Sequence, residues 1–322
     1  MRRAVLRRLA QAVVVLWAAF TLSFLILYLL PGDAVLTKLG GADGGVTASP
    51  EQIAQARAEY GLNDPLYEQY GKRLVAALHG DFGKSISTGD DATHMVLSAL
   101  PPTLAVTGLA LVLAVLFGGG IAVVGTYTRA RWLSQALLSL PPLGISLPSF
   151  WVGLLLIQVF SFQLRLLPAL GSTGFASTIL PAITLALPTS AIIGQVLAKS
   201  LRTQLAEPYI EIARAKGASR LRVHFGHALR NAALPALTLV GVVAGNLLAG
   251  SVVTETVFSR DGVGRVTSAA VTAQDIPVVQ AVIVLSAFFF VTVNLIVDLL
   301  YPLLDPRLAG VKSGPRKVTA DV

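Results

Sequence analysis

Few residues in this chain have the type and spacing to do chemistry, and most of those fail on context. Gly83-Lys84-Ser85 ends like a phosphate-cradling loop. Such a loop needs another glycine five positions before the Gly-Lys-Ser, and Leu78 stands there. There is no other stretch of that pattern, so any ATP would be hydrolysed by a partner. The histidines are His79, His94, His224 and His227. The i, i+3 spacing of His224 and His227 suits either a metal or two solvated side chains on a basic helix, and we expect the latter. The chain has no cysteine, which removes disulfides, thiolate metal sites and a cysteine nucleophile. Hydrolysis inside a membrane would need a Ser–His pair or paired aspartates, and Asp298, in the last apolar run, has no paired acid. The expectation is a chain with no catalytic residue, no metal and no cofactor of its own.

Other polar residues matter because of where they lie. Gln158, Gln195, Asn246, Asn294 and Asp298 fall within long apolar runs, where a polar group is a candidate for function. Each either lines a pathway or pairs helices. Asn294 lies one turn before Asp298 on the same face.

The runs that contain them show what solvent the chain is built for. Of its 322 residues 54% are hydrophobic and only 13% charged, about half the charged share of a soluble domain. Six stretches are long enough to cross about 30 Å of hydrocarbon. They are Leu9–Leu30, Thr103–Gly125, Ser139–Phe160, Ile179–Ala198, Leu234–Thr254 and Val278–Leu300. The first follows Arg2, Arg3, Arg7 and Arg8, yet it exceeds a signal-peptide core, and Pro31-Gly32-Asp33 is no cleavage site, so we read it as a retained anchor. Pro148, Pro181 and Pro188 fall within spans and predict kinks.

Charge placement predicts orientation. With the N-terminus cytoplasmic, the inner segments hold 17 of 25 Lys and Arg, while 12 of 17 acids lie outside. The net charge of +8 is therefore a topology signal, and nucleic acid is not a predicted partner. The expected layout is a cytoplasmic N-terminus and first span (1–30), an extracytoplasmic segment (31–102), a core of five spans (103–304) with a cytoplasmic loop at about 200–233, and a cytoplasmic tail (305–322). In the outer segment Ser49-Pro50-Glu51-Gln52 predicts a capped helix start. A second helix would carry Leu66, Tyr70, Leu74 and Leu78 on one face, either lying on the membrane or forming a small cap.

The inner loop contains Glu207-Pro-Tyr-Ile-Glu211-Ile-Ala-Arg-Ala-Lys-Gly217. Pro208 favours a helix start, Glu211 suits the first turn, and Gly217 serves as a stop. Ala213 and Gly217 offer a small face flanked by Arg214 and Lys216, either for close docking on a partner or as part of a solvated basic loop.

Here the residues resemble a known family. Glu211-Ile-Ala-Arg-Ala-Lys-Gly217 looks like the EAA loop of ABC importer permeases. His227-Ala-Leu-Arg-Asn231-Ala-Ala-Leu234-Pro235 is similar to its continuation in the dipeptide and oligopeptide (peptide/nickel) family. Further segments resemble that family in order: Leu30-Pro-Gly-Asp33, Tyr60-Gly-Leu-Asn-Asp-Pro-Leu66, Gly80-Asp-Phe-Gly83, Leu147-Pro-Ser-Phe-Trp151, Glu255-Thr-Val-Phe258, Gly262-Val-Gly264 and Asp298-Leu-Leu-Tyr301 with Leu304-Asp-Pro-Arg307. They cover nearly the whole chain, and the closest likeness is to the B-type subunit. One departure is Ile212, where the general pattern has alanine.

The resemblance implies an all-α integral membrane permease of six spans in the cell membrane. It implies a second homologous permease, two cytoplasmic ABC ATPases carrying ATP and Mg, and an extracytoplasmic substrate-binding protein. It assigns ATPase coupling to Glu211, Ala213, Arg214, Ala215, Lys216 and Gly217, and cargo of di- or oligopeptides. Nickel, glutathione or oligosaccharide are alternative cargoes in the same architecture. A passive channel or membrane scaffold would explain the spans but not the loop.

Overall fold

The structure is a computed structural model describing residues 2–29, 49–59 and 63–304. The described residues form eleven α-helices and no sheet. Helix α1 spans Arg2–Leu29, α2 Pro50–Glu59, α3 Leu66–Leu78 and α4 Ala92–Tyr127. Next come α5 (Arg131–Ser146), α6 (Ser149–Leu156, continuing as a wider π-helical stretch, Ile157–Gln163) and α7 (Ala176–Leu205). The short α8 (Pro208–Ala215) leads through a π-helical turn, Arg222–Ala228, into α9 (Leu229–Val257). Helices α10 (Val263–Thr272) and α11 (Ile276–Leu304) complete the order.

Five of these elements are continuous, long and apolar enough to span a membrane: α1, α4, α7, α9 with its π-helical lead-in, and α11. The third apolar run differs from the single kinked helix expected over Ser139–Phe160. It is a pair, α5 and α6, bent by 103° at Leu147-Pro148. Contacts along α7 show that the pair still makes one passage. Gly144 of α5 lies against Leu187 and Ala191, and Gly153 of α6 lies against Thr184. Ile157 then joins Leu180 and Phe258 in one cluster. The bent pair is the sixth span, and its contacts pass along α7 from Ala191 to Leu180 as its own chain advances.

Helix boundaries follow local chemistry. Ser49 and Gln52 form the expected capping box, Ser49 Oγ accepting from Gln52 N–H at 3.2 Å and Gln52 Oε1 from Ser49 N–H at 3.0 Å. Asp91 caps α4 by accepting from His94 N–H at 2.6 Å, which extends this helix well beyond the apolar run at Thr103–Gly125. Its 36 residues reach about 54 Å, longer than the hydrocarbon core.

In lipid there is no hydrophobic force between helices, so the bundle is held by close van der Waals fit at small residues. Val106, Ala110 and Ala114 of α4 meet Ala182, Leu185 and Ala186 of α7 in the central cluster. A Cβ on Gly118 would lie 2.3 Å from the backbone oxygen of Ser190, and Gly194 faces the backbone of Gly118 in return. The two helices touch backbone to backbone there, which only glycine allows.

The segment between α1 and α4 is anchored on α1. Tyr70 of α3 packs edge-on to Phe24 and against Phe20, and its hydroxyl is 2.9 Å from Thr21 Oγ1. The buried face of α3 centres on Gln69 and Tyr70, whereas Leu66 and Leu78 stay exposed. The aromatic pairing of Tyr70 with α1, rather than the full i, i+4 apolar row, sets that helix's rotation.

Candidate functional site

Helix α8 is short, and two side chains fix it to the body. Ile210 is fully buried in a cluster with Leu197 and Leu201 of α7 and Val223 beyond the helix. Tyr209 donates its hydroxyl to Gln204 Oε1 at 2.9 Å and accepts from Asn231 Nδ2 at 3.2 Å, tying α8 to both α7 and α9. Pro208 occupies the first turn with Glu207 as N-cap, and Glu211 complements the N-terminal dipole.

The end of α8 is equally determined. Gly217 has φ +82°, its N–H bonds Arg214 O at 2.9 Å, and Ala218 N–H reaches back to Ala213 O at 3.1 Å. This is a Schellman stop, with Ala213 and Ala218 both packed against the buried cluster around Ile210. A Cβ on Gly217 would meet nothing within 4 Å, so backbone angle rather than space within this chain demands glycine.

The rotation of α8 decides what it presents. Ala213 is half-buried and turned to the body, not outward with Gly217 as the spacing suggested. Glu211, Ile212, Arg214, Ala215 and Lys216 are exposed, and Ile212 leaves over half its surface to solvent at 56%. The result is a small platform with one large apolar side chain among charges of both signs. After it come the exposed apolar residues Leu221 and Phe225.

Beyond the platform, His224 differs from the solvated histidine expected. It is 2% exposed, and its Nε2 lies 3.0 Å from Thr126 Oγ1 at the end of α4. Because Thr126 donates its hydroxyl to Ala122 O at 2.7 Å, it accepts from His224. Tyr127 stands edge-on to the imidazole with ring centroids 5.3 Å apart, Arg220 covers the Tyr127 ring at 4.8 Å, and its guanidinium bonds Tyr127 O. His227, one turn on, is exposed, so the pair does not converge on a metal. Among the described residues no cluster of His, Asp and Glu has metal-binding geometry.

The opposite end carries two polar knots. Asp275, in the turn between α10 and α11, is 1% exposed and takes hydrogen bonds from the 85–87 loop. Ser85 Oγ (2.5 Å), Ser87 Oγ (2.8 Å), Ile86 N–H (3.1 Å) and Ser87 N–H (3.1 Å) all donate to its carboxylate. Gly83-Lys84-Ser85, which imitates a phosphate loop in sequence, thus belongs to a turn folded around an internal carboxylate. In the second knot Glu255, fully buried at the end of α9, accepts from Thr103 Oγ1 at 2.6 Å and from Gly264 N–H at 2.7 Å. Val263 N–H donates to Thr103 in turn at 2.9 Å. The carboxylate caps α10 from a different helix. A Cβ on Gly262 would collide with it at 2.4 Å, and one on Gly264 would strike the Val252 backbone at 2.5 Å. The Gly-Val-Gly spacing is room for Glu255.

Arg260, 1% exposed, joins the adjacent loops by donating to Ser177 O at 2.7 Å and Gly171 O at 3.1 Å. Burial lowers its pKa from the usual guanidinium value, Glu255 and Asp261 offset only part of that, and the arginine still stays charged.

The remaining polar candidates scatter. Gln158 is exposed on the π-helical end of α6. Gln195 lines a hollow of about 280 Å³ between α5 and α7. Asn246 borders an apolar crevice of about 450 Å³ among α4, α9, α10 and α11. Asn294 bonds its own helix at Phe290 O (2.8 Å), and the Asp298 side chain lies outside the described residues. Among the described residues no common chamber gathers Gln158, Gln195, Asn246 and Asn294.

Comparisons with known proteins identify the family. The family described as binding-protein-dependent transport system inner membrane component matches residues 110–310, and its N-terminal companion matches residues 1–107. A probable peptide ABC transporter permease protein, y4tP, of Sinorhizobium fredii is 36% identical, covering 94% of this chain and 98% of that protein. The glutathione transport system permease protein GsiC of Escherichia coli K12 is also 36% identical with the same coverage. A crystallised amino acid ABC transporter with histidines aligns over 67% of this chain and 94% of its own, at 19% identity and a TM-score of 0.49. A helical bundle of six membrane passages, matched over almost its whole length, belongs to the binding-protein-dependent transport system inner membrane components and is an ABC importer permease.

Proposed function

We propose that this permease imports short peptides, forming half of a translocation pathway with a second, homologous permease, and that α8 is where a cytoplasmic ATPase engages it. The observation that carries the coupling assignment is the α8 platform. A short helix is fixed from beneath by Ile210 and Tyr209, stopped at Gly217, and exposes Ile212 and Ala215 among charges. Such an element moves as one piece with α7 and α9, so a push on it is passed to two membrane helices. Binding ATP would then shift the bundle between inward- and outward-open populations.

On this reading α8 and both termini are cytoplasmic, as the basic residues around α8 support. A substrate-binding protein would meet the end built by the Asp275 and Glu255 knots. ATP and Mg would sit on the ATPases, and no nucleic acid takes part. The y4tP relative carries the peptide reading, and the GsiC relative keeps glutathione, itself a small peptide, as the second cargo.

The test is uptake of labelled di- to pentapeptides, glutathione and nickel in cells with and without the gene. Energy-dependent peptide uptake should vanish on deletion and return with this chain. Unchanged peptide uptake with loss of another solute would replace the cargo. Coupling is tested separately with Ile212→Glu and Ala215→Trp, exposed positions whose change leaves the bundle's own packing alone. Transport at the wild-type level in both would overturn the docking assignment.

A further inference from the structure

We infer that the hollow between α5 and α7 binds the phosphate headgroup of an acidic membrane lipid. Its apolar wall is Leu138 and Pro141 of α5 with Ala198 of α7. Its polar side is Gln195, Lys199, Arg202 and Thr203, all on α7. No acidic residue lines it. Among the described residues neither Lys199 nor Arg202 has a carboxylate partner.

Position in the last turns of α7 explains why cations are favoured there, since helix C-terminal carbonyls attract them. It does not explain two cations without a counter-ion at the edge of an apolar hollow. An anion placed between them would satisfy both charges and accept from the Gln195 amide and the Thr203 hydroxyl. Thr203 now spends that hydroxyl on Lys199 O at 3.2 Å, a bond readily exchanged.

The level of the hollow selects a lipid as the source of that anion. It lies between two membrane passages, about two turns along α5 from its start, where Trp132 is 72% exposed next to Arg129 and Arg131. Exposed tryptophan and arginine mark a lipid–water boundary. Further along α5, Leu140, Leu143 and Ile145 are exposed aliphatic surface on which acyl chains can lie. Basic pockets between membrane helices suit acidic phospholipid headgroups, at about 1 kcal/mol per cation. Gln195 is then a headgroup ligand rather than part of a solute pathway. The inference is independent of the cargo and of the docking role of α8.

The experiment uses the full-length chain within its purified transporter, titrated in detergent with phosphatidylglycerol, phosphatidylcholine or glycerol 3-phosphate. Melting is followed, and retained lipid is counted by mass spectrometry. Phosphatidylglycerol should raise the melting midpoint and phosphatidylcholine should not. The K199Q/R202Q pair, both at exposed positions, should melt normally without lipid and bind phosphatidylglycerol about 30-fold more weakly. An R129Q/R131Q pair removes equal charge nearby and should bind as the unmodified chain does. Equal weakening in both pairs would reduce the effect to diffuse surface charge and overturn the site. Indifference between the two lipids would overturn it as well. Equal binding of glycerol 3-phosphate would make this a soluble-phosphate site and overturn the lipid assignment.

Discussion

Ser85 and Asp275 are 190 residues apart in the chain and 2.5 Å apart in the fold, Ser85 Oγ donating to Asp275 Oδ2. That bond and the three beside it clip the segment between α1 and α4 to the turn between α10 and α11. Hydrogen bonds to a buried charge are the strong ones, and the group left behind when one partner is removed bears the cost.

Asp275→Ala should therefore strip four donors of their acceptor and destabilise by roughly 2–4 kcal/mol. The segment around Ser85 should become sensitive to added protease while α7 and α9 stay protected. A double variant with Ser85→Ala should lose less than the sum of the singles. Strict additivity would show that the two residues do not act together.

At Gly217, backbone angle and crowding predict different outcomes. A φ of +82° strains alanine by about 1–2 kcal/mol and is better tolerated by asparagine. Gly217→Asn should accordingly retain more solute-stimulated ATP hydrolysis than Gly217→Ala, despite its greater bulk. The reverse order would mean that a partner surface approaches this glycine too closely for any side chain.

Neighbouring glycines on α4 provide an internal control. Gly118→Ala places a methyl 2.3 Å from Ser190 O, whereas Gly119→Ala meets nothing within 4 Å. The first should cost about 1–3 kcal/mol of stability in detergent melting. The second should be neutral or slightly stabilising. If both melt alike, α4 and α7 are not in backbone contact.

Thr103→Val keeps shape but removes the hydroxyl that serves both Glu255 and Val263. It should cost about 1–3 kcal/mol and free the start of α10, seen as faster amide exchange at Val263 and Gly264. Thr103→Ser restores the hydroxyl and should recover most of the loss.

Much of this fold was legible in the sequence because its signals are local. Apolar run length found the membrane passages, Ser49 with Gln52 announced a capped start, and Gly217 announced a stop. The break at Leu147-Pro148 was not legible as a break. Pro188 and the pair Pro101-Pro102 sit inside α7 and α4 without ending them, so proline alone does not distinguish a bend from a passage. The direction faced by Ala213 was hidden because it is set by Tyr209 and Ile210, whose partners lie on α7 and α9. His224 looked like any histidine on a basic stretch, and its burial depends on Thr126 and Tyr127, about a hundred positions earlier. The sequence showed the Glu255 and Gly262–Gly264 segments as a likeness, and only their contact explains it.

The right-angled joint between α5 and α6 also bears on how the bundle can move. Within an uninterrupted stretch of helix, sharp flexing would open the internal ladder. Between Ser146 and Ser149 that ladder is already interrupted, so the angle there can change without breaking a single helical hydrogen bond. The elbow's angle is therefore held by the contacts of Gly144 and Gly153 with α7 rather than by a shared ladder.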